Sequence, residues 1–230
     1  MISCHGFAGN KDNNASKKIA ETMLPKYDDL AVISFDWLSH GKDAKQKLNL
    51  KDCDDYLNSV IYYVQNILGV NEIYAQATSF GGYLVLKYIS EHGNPFRKIA
   101  LRCPAVNMYE ALTERILTEE QLRNILKGKI ENVGFDRKMK IDKGFLDELE
   151  ENDILKRNYI SMADDILIMH GTEDELIDFE TDRQFCDDNV IEFIPIEGAD
   201  HRYKNPAKLR ECINHILDFF GSSMERQSHL

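Results

Sequence analysis

A short apolar strand runs directly into a helix through a single serine, and this turn limits the possible folds more than any other stretch. Residues 73–75 read as a buried strand and residues 80–88 as the start of a helix, so Ser79 lies at the corner between them. A serine in such a corner has a strained backbone that exposes Oγ above the carboxyl end of a sheet. The residues two positions before and after it nearly touch and must be small, and here they are Ala77 and Gly81. The pattern A-T-S-F-G therefore predicts a nucleophile at Ser79, with alanine in place of the first glycine of G-x-S-x-G.

Ser79 also has a simpler interpretation, as the N-cap of the helix that begins at Phe80, because serine is a preferred N-cap residue. The turn alone does not decide between a nucleophile and an N-cap. A nucleophilic serine needs a base, an acid that orients the base, and donors for an oxyanion. The decision depends on whether these groups follow the ends of neighbouring strands.

Strands and helices alternate along most of the chain. The run 30–35 is continuously apolar, as expected for a strand covered on both faces. The predicted strands are 2–4, 30–35, 73–75, 98–102, 165–171 and 190–194, and the predicted helices are 14–23, 49–69, 80–92, 178–186 and 206–221. This alternation predicts a doubly wound, mostly parallel sheet of the α/β class, with its site beyond the carboxyl ends of the strands.

The alternation stops between the fourth and fifth strands, where residues 107–161 combine helical patterns with many charges. We interpret this stretch as an inserted cap. The predicted organisation is one catalytic domain in two parts, 1–106 and 162–221, with the cap 107–161 between them and a loose polar tail, 222–230. Most apolar residues of the cap should pack it onto the domain, and a few should line a wall over Ser79.

Charge and cysteine content exclude several classes of partner. The formal net charge of -11 argues against nucleic acid or an anionic membrane surface and suits a small neutral or cationic ligand. Five single cysteines without a C-x-x-C pair predict buried, reduced thiols in a cytoplasmic protein. No apolar run approaches the length of a membrane span, and no histidine and carboxylate cluster has metal-ligand spacing. We therefore expect a soluble protein with no metal and no cofactor.

Two further loops supply the missing groups. The strand that ends at His170 leads into a loop containing Asp174, and the next strand leads into a loop containing His201. One helix and one strand separate Asp174 from His201, so the two loops belong to successive strand–helix units and their side chains can converge. Ser79, Asp174 and His201 then follow one another along the chain.

Four phrases in this order, H-G-F at His5, the serine turn at Ser79, H-G-x-x-D at His170 and G-A-D-H ending at His201, resemble the α/β-hydrolase superfamily. The resemblance implies that Ser79 is the nucleophile, His201 the base and Asp174 the orienting acid. It also implies an oxyanion hole formed by the backbone N–H groups of Phe7 and Phe80. A helix N-terminus at Phe80 and the close turn that Gly6 permits give independent physical reasons for these donors.

Within the superfamily, the chain looks most like the cinnamoyl or feruloyl esterase and serine-aminopeptidase-like branch. The loop 36–41 resembles the D-x-x-G-H-G turn of that branch but has Ser39 where glycine is usual, so the turn was expected to differ locally. Folds of this kind usually place a β-hairpin before the first strand. The sequence opens inside a strand, so we expect a domain trimmed at its N-terminus or a native start upstream of Met1.

Other polar residues near these loops have structural interpretations. We expect surface charges at the rival acids, hydrogen bonding of turns at the glycine-flanked histidines, bracing of a loop by Asp36, and packing at Cys103. The rival acids are Glu173, Glu175, Asp178 and Asp200, and the glycine-flanked histidines are His5, His40 and His170.

The sequence thus predicts a serine hydrolase that cleaves a small carboxylic ester, with a short-chain or aryl acyl group, through an acyl-enzyme on Ser79. Thioester or small-amide hydrolysis is the nearest alternative. A non-catalytic ligand-binding protein of the same fold is the alternative from another class. The acyl and alcohol groups of the substrate and the oligomeric state stay open.

Overall fold

The computed structural model describes residues 1–40, 46–135 and 137–224. The main strands are β1 (Ile2–Cys4), β2 (Ile33–Ser34), β3 (Tyr74–Thr78), β4 (Lys98–Arg102), β7 (Ile166–Gly171) and β8 (Glu192–Ile196), and a hairpin is formed by β5 (Glu131–Val133) and β6 (Met139–Ile141). The six main strands form one sheet in the order β2-β1-β3-β4-β7-β8, and every pairing in it is parallel. The hairpin is antiparallel and separate. The predicted doubly wound parallel sheet is therefore confirmed.

Eight α-helices accompany these strands within the described ranges. They are α1 (Asn14–Met23), α2 (Leu50–Tyr62), α3 (Phe80–His92), α4 (Met108–Glu110), α5 (Glu119–Leu126), α6 (Lys143–Glu151), α7 (Phe179–Asn189) and α8 (Pro206–Met224). Side-chain N-caps fix where several of them begin: Asn13 accepts a hydrogen bond from the Ser16 N–H, Asn49 from the Asp52 N–H, and Asp178 from the Thr181 N–H. The predicted bounds of the helices at 14–23 and 80–92 and of the strand at 98–102 coincide with the structure.

Apolar side chains cover both faces of the sheet because successive strand residues point to opposite sides. On one face α1 and α8 pack over Tyr74, Ala100 and Leu167. On the other, α2, α3 and α7 pack over residues such as Ala75 and Ile99. Ten of the 13 residues of α3 are buried, so the helix that follows Ser79 lies in the middle of the protein and gives the serine a rigid base.

The prediction for the second strand was wrong in extent and environment. The run 30–35 forms only the two-residue strand β2, which lies at the edge of the sheet and pairs with β1 alone. Both residues of β2, Ile33 and Ser34, are half-buried. A strand at the edge of a sheet has only one neighbouring strand, and its residues are less covered than those of a central strand. The continuously apolar sequence was therefore not enough to predict a strand buried on both faces.

The prediction for α2 holds over its first three turns. Buried Cys53, Leu57 and Ile61 face the sheet, but the apolar residues Ile67 and Leu68 near the end of the predicted helix are 63% and 47% exposed. The helix changes to a π-helical turn over Tyr63–Ile67, and a π-helix has a different angular period. The apolar stripe therefore rotates away from the sheet near the end of the helix.

Two later predictions were shifted along the chain. The last strand was predicted at 190–194 and lies at Glu192–Ile196, where it includes Pro195. Proline is accommodated because β8 is the other edge of the sheet. Helix α8 continues past the predicted end at Gly221 to Met224. Of the predicted tail, residues 225–230 lie outside the described residues, as do residues 41–43 of the predicted polar loop.

The segment between β4 and β7 packs closely on the sheet domain. Its buried side chains belong to the same apolar cluster as α2 and α3, and the cluster includes Val133, Ile141 and Phe145. The carboxylate of Glu148 accepts a hydrogen bond from the Leu50 N–H at 2.7 Å, which ties α6 to the start of α2. The β5–β6 hairpin within the segment was not predicted. In the ranges that the structure covers, no helix is long and apolar enough to cross a membrane.

Candidate active site

Ser79 lies at the strained corner that the sequence predicted. Its backbone has φ 53° and ψ -123°, a conformation that residues other than glycine rarely adopt. The side chain makes no capping hydrogen bond to α3, so it does not act as the N-cap that was the simpler interpretation. The corner is held by its backbone instead, because the Ser79 carbonyl accepts hydrogen bonds from the Tyr83 and Ala105 N–H groups. The hydroxyl is thus left available for another role.

Gly81 is needed for a reason other than the one predicted. A Cβ at this position would lie 2.6 Å from the carbonyl oxygen of His5 and 2.8 Å from that of Cys4. The first turn of α3 therefore presses on the end of β1, and its closest neighbours are β1 carbonyls rather than Ala77. Ala77 itself is fully buried and pairs in register with Cys4.

The loop after β1 approaches the serine from the other side. A Cβ on Gly6 would lie 3.1 Å from the Ser79 Cβ and 3.6 Å from its Oγ, so only glycine lets the loop come this close. The rings of Phe7 and Phe80 meet edge to face with centroids 6.2 Å apart. Neither backbone N–H of these two phenylalanines has an acceptor among the described residues. Two N–H donors without an acceptor in the described ranges therefore lie next to Ser79 in the chain and in the loop that approaches it.

Asp174 and His201 converge as predicted. Asp174 Oδ2 lies 2.7 Å from His201 Nδ1, and Oδ1 accepts hydrogen bonds from the Leu176 and Ile177 N–H groups, both at 2.8 Å. The backbone N–H of His201 donates to Glu175. These contacts fix the imidazole with Nε2 directed away from the acid.

The structure records no hydrogen bond between Ser79 Oγ and His201 Nε2 in the described parts of the chain. Serine–base contacts in free enzymes are often long and shorten when substrate binds. Both residues follow strands of one parallel sheet, so they share its carboxyl edge. Each is 8% exposed, which leaves a small opening to the solvent.

The structure adds two residues to the site that the sequence analysis did not assign to it. His170 was expected to hydrogen bond its own turn, but its Nδ1 lies 2.8 Å from Asp182 Oδ2 and its Nε2 lies 3.2 Å from Asp174 Oδ2. Asp182 lies in the first turn of α7, and the three side chains are completely buried. Only the H-G-x-x-D phrase pointed to His170, and no feature of the sequence marked Asp182.

Burial and charge shift the titration of these groups in different directions. Burial would lower the pKa of His170, but hydrogen bonds with the carboxylates of Asp174 and Asp182 raise it to about 9. Burial also opposes ionisation of Asp174, yet hydrogen bonds from His170 and His201 hold its pKa well below the usual range. Complete burial raises the pKa of Asp182 to about 6. At neutral pH the structure therefore favours an ionised Asp174 beside a charged His170.

The rival acids have the structural contacts that were expected of them. Asp178 caps α7 and pairs with Arg115 at 2.9 Å. Asp200 accepts from the Lys204 backbone and pairs with its side chain. Neither carboxylate has a hydrogen bond to the imidazole of His201 in the described structure.

The remaining polar residues near the loops also have structural roles. His5 donates from Nδ1 to the Gly6 carbonyl of its own turn at 2.8 Å, and the Lys11 N–H donates to Asp36 at 2.8 Å. His40 differs from the prediction, since neither ring nitrogen has a partner among the described residues and the ring stacks on Phe80. Burial lowers the pKa of His40 to about 3, so it is neutral.

The turn at Ser39 keeps a backbone that suits glycine. Its φ is 78°, in the left-handed region, although a change of local conformation was expected here. The Ser39 hydroxyl is buried and has no partner within the described residues. Serine at this position therefore has a strained backbone; whether the turn differs from that of the branch stays a prediction.

Two clusters bring three possible metal ligands within 4.8 Å of one another. One is Cys103, His170 and Asp174, in which both His170 nitrogens already face carboxylates. The other is Asp54, Glu91 and His92. In the second cluster Lys87 Nζ lies 2.5 Å from Glu91, and an Arg157 nitrogen lies 2.8 Å from it. Internal hydrogen bonds and ion pairs thus already occupy the ligand atoms of both clusters.

The β5–β6 hairpin lies over the site and touches both of its sides. Gly134, with φ 134°, packs against Ala8 of the loop after β1, because a Cβ there would be 2.8 Å from the Ala8 Cβ. Phe135 is 39% exposed, and the guanidinium of Arg202 lies 4.6 Å from its ring centroid. Arg202 directly follows His201. The hairpin therefore connects the loop after β1 to the loop that contains His201.

Comparison with known proteins gives one family match. The family model for the alpha/beta hydrolase fold matches residues 1–129, slightly more than half of the chain. This region contains the loop after β1 and the serine turn. None of the curated proteins matches the chain.

Solved structures resemble the whole chain at low sequence identity. Est1E from Butyrivibrio proteoclasticus, solved with ferulic acid bound, has a TM-score of 0.74 and 22% identity over 96% of this chain and 88% of its own. Alpha/beta hydrolase domain-containing protein 10 from mouse has a TM-score of 0.68 and 18% identity, with 96% and 89% covered. A monoacylglycerol lipase from Paleococcus ferrophilus has a TM-score of 0.65 and 16% identity, with 96% and 93% covered. At these identities the likeness concerns the fold.

Proposed function

Because the chain belongs to the alpha/beta hydrolase fold family, we propose that it is a serine hydrolase that cleaves small carboxylic esters through an acyl-enzyme on Ser79. The observation that carries the proposal is the buried Asp174–His201 hydrogen bond of 2.7 Å. It lies at the same sheet edge as Ser79, whose backbone is strained and whose hydroxyl does not cap α3. An N-cap serine would need neither an oriented histidine nor a strained backbone. The three residues together are the parts that acyl transfer requires.

In the proposed reaction, His201 Nε2 accepts the proton of Ser79 Oγ as the oxygen attacks the ester carbonyl. The negative charge that develops on the carbonyl oxygen is stabilised by the backbone N–H groups of Phe7 and Phe80. His201 then gives its proton to the leaving alcohol. A water molecule, deprotonated by the same imidazole, hydrolyses the acyl-enzyme and restores Ser79.

The segment 107–161 acts as a cap in this proposal, inserted between the core parts 1–106 and 162–221. Several apolar side chains of the segment are buried and pack it onto the domain, among them Met108, Leu112, Ile125, Val133, Met139 and Phe145. Phe135 is exposed, and it lies on the hairpin that bridges the two sides of the site. In this proposal, a roof over Ser79 limits the length of the acyl group.

Short-chain and aryl acyl groups are therefore the proposed substrates. Est1E binds ferulic acid, an aromatic acid, which supports the aryl part of the proposal and the esterase branch. The five cysteines are free and buried, which suits a reducing compartment, so we place the activity in the cytoplasm. Thioesters and small amides are alternative substrates because the same acyl-enzyme chemistry cleaves them.

The test is hydrolysis of p-nitrophenyl esters of increasing acyl length, alongside a methyl cinnamate-type ester, by the wild type, Ser79→Ala and Ser59→Ala. Ser59 is an exposed residue of α2 and serves as the matched control. We expect kcat/KM to be highest for short or aryl acyl groups and to fall at least about 10³-fold in Ser79→Ala only. Efficiency that rises steadily with chain length would overturn the small-ester proposal. Turnover by Ser79→Ala within about tenfold of the wild type would overturn the serine mechanism.

A further inference from the structure

The proposed catalytic acid has a second histidine behind it, and the two imidazoles share one carboxylate oxygen. Asp174 Oδ2 lies 2.7 Å from His201 Nδ1 and 3.2 Å from His170 Nε2. The other nitrogen of His170, Nδ1, lies 2.8 Å from Asp182 Oδ2. A continuous polar chain therefore runs from His201 through Asp174 and His170 to Asp182 on α7.

Both ring nitrogens of His170 face carboxylate oxygens in a region closed to solvent. A neutral imidazole has one N–H donor and one lone pair, so a neutral ring would direct its lone pair at one of the two carboxylates. An imidazolium presents an N–H to each carboxylate, as a hydrogen bond to Asp182 at 2.8 Å and as an ion pair with Asp174 at 3.2 Å. Two buried carboxylates without a cation between them would also repel each other strongly, because buried charges need a partner.

We propose that His170 is a positioning residue that acts as an imidazolium, donating from Nδ1 to Asp182 and forming an ion pair through Nε2 with Asp174. In this state it holds Asp174 in place and offsets part of the negative charge that His201 experiences. The proposal rests on the proposed function, in which His201 is the base. The positive shift of the His170 pKa to about 9, which the two carboxylates produce against the effect of burial, agrees with this geometry.

Other groups around His170 do not supply a competing charge. From α7 the ring meets Asp182 and the ring of Phe179, with centroids 5.5 Å apart. From the end of β4 it meets Cys103, and burial raises the pKa of this thiol well above the usual range, so it is neutral. Arg102, next to Cys103, directs its guanidinium over the ring of Tyr203, 4.9 Å from the centroid.

The cation has a consequence for the proton affinity of the base. An unpaired carboxylate next to an imidazole favours the protonated, inactive form of that imidazole. A cation on the far side of the carboxylate reduces this effect. Removal of the cation should leave the full charge of Asp174 acting on His201.

The first test compares the pH profile of kcat/KM for the wild type, His170→Gln and His92→Gln. Glutamine keeps one amide donor but carries no charge, and His92 is an exposed histidine paired with Asp54, which makes it a matched control. We expect the acidic limb in His170→Gln to move up by about one pH unit, and that of His92→Gln to stay in place. If the acidic limb of the kcat/KM pH profile did not move in a folded His170→Gln variant, even with lowered kcat, His170 would have only a packing role and the proposal would be overturned.

The second test does not depend on activity or on a folded variant. In a histidine ¹⁵N NMR spectrum of the wild type, one of the seven rings should keep both nitrogens protonated at pH 8 and lose a proton only near pH 9. A spectrum in which every histidine is neutral at pH 8 would overturn the inference. If Ser79→Ala kept its activity while this ring stayed protonated, the proposed function would fail and the charged His170 would stand.

Discussion

At the scale of single residues, both carboxylate oxygens of Asp174 have fixed partners. Oδ1 accepts two backbone hydrogen bonds, from Leu176 and Ile177, while Oδ2 faces the imidazoles of His170 and His201. Rotation of this carboxylate would break at least two of these contacts. Asp174 therefore fixes the orientation of the His201 ring. Asp178 and Asp200 contact Arg115 and Lys204 instead.

The replacement Asp174→Asn should lower kcat far more than the same change at Asp178 or Asp200. An amide that donates to Nδ1 would stabilise the wrong tautomer of His201, an effect of about 10⁴-fold for the corresponding acid in serine proteases. Asp178 and Asp200 contact Arg115 and Lys204 instead, so their variants should stay within about threefold of the wild type. Steady-state kinetics on one p-nitrophenyl ester gives the ranking. If Asp200→Asn proved the most damaging variant, the assignment of the acid would be wrong.

Sequence reasoning located Ser79, Asp174 and His201 because each follows a strand of a parallel sheet, and such positions converge. It missed Asp182, which lies in a helix where polar residues predominate and most of them are exposed. Burial of one carboxylate in such a helix depends on where α7 lies against β7. That position is a tertiary property, which the local pattern of residues does not contain.

At the scale of secondary-structure elements, the contact between α3 and β1 aligns the serine with the loop that contains Phe7. Gly81 makes this contact possible, since a Cβ there would overlap the carbonyl oxygens of His5 and Cys4. The obstacle on both sides is backbone, which cannot move aside like a flexible side chain. The approach of α3 to β1 therefore depends on a hydrogen atom at this one position.

The replacement Gly81→Ala should destabilise the protein by about 2–3 kcal/mol through overpacking. Gly144→Ala is the matched control, because a Cβ at Gly144 meets only the flexible carboxylate of Asp142, at 3.3 Å. The control should cost less than about 0.5 kcal/mol, since alanine favours a helix more than glycine does. Urea unfolding of both variants measures the difference. Equal stabilities would show that the contact between α3 and β1 is looser than the structure indicates.

Elements with strong local signals were predicted closely, and elements defined by their neighbours were not. Helix α1 has its N-cap at Asn13, and β4 is a short apolar run, so both were found with their bounds. Strand β2 was overextended because its sequence does not reveal that it lies at the edge of the sheet. The β5–β6 hairpin was missed because its strands are only three residues each, and outside the hairpin they make only an isolated bridge, between Lys140 and Lys47, in the described ranges.

At the scale of the whole molecule, four of the six non-glycine residues with positive φ in the described ranges lie at the carboxyl edge of the sheet. Positive φ angles occur at Ala8, Ser39, Ser79 and Cys103, each of which follows a different strand from β1 to β4. Such conformations persist only when the surrounding structure enforces them, and they often lie at functional sites. A sheet with a continuous core on both faces can enforce them. This concentration of strain supports a site at the same edge as Ser79.

The central claim of this account is that Ser79 is a nucleophile activated by its surroundings. The most direct measurement is mass spectrometry of the wild type, Ser79→Ala and Ser59→Ala after treatment with a fluorophosphonate, followed by mapping of the modified peptide. We predict one covalent adduct on Ser79 in the wild type and in Ser59→Ala, and none in Ser79→Ala. An unlabelled wild type, or an adduct that persists in Ser79→Ala, would contradict the account; the first result would favour a protein that binds ligands without turnover.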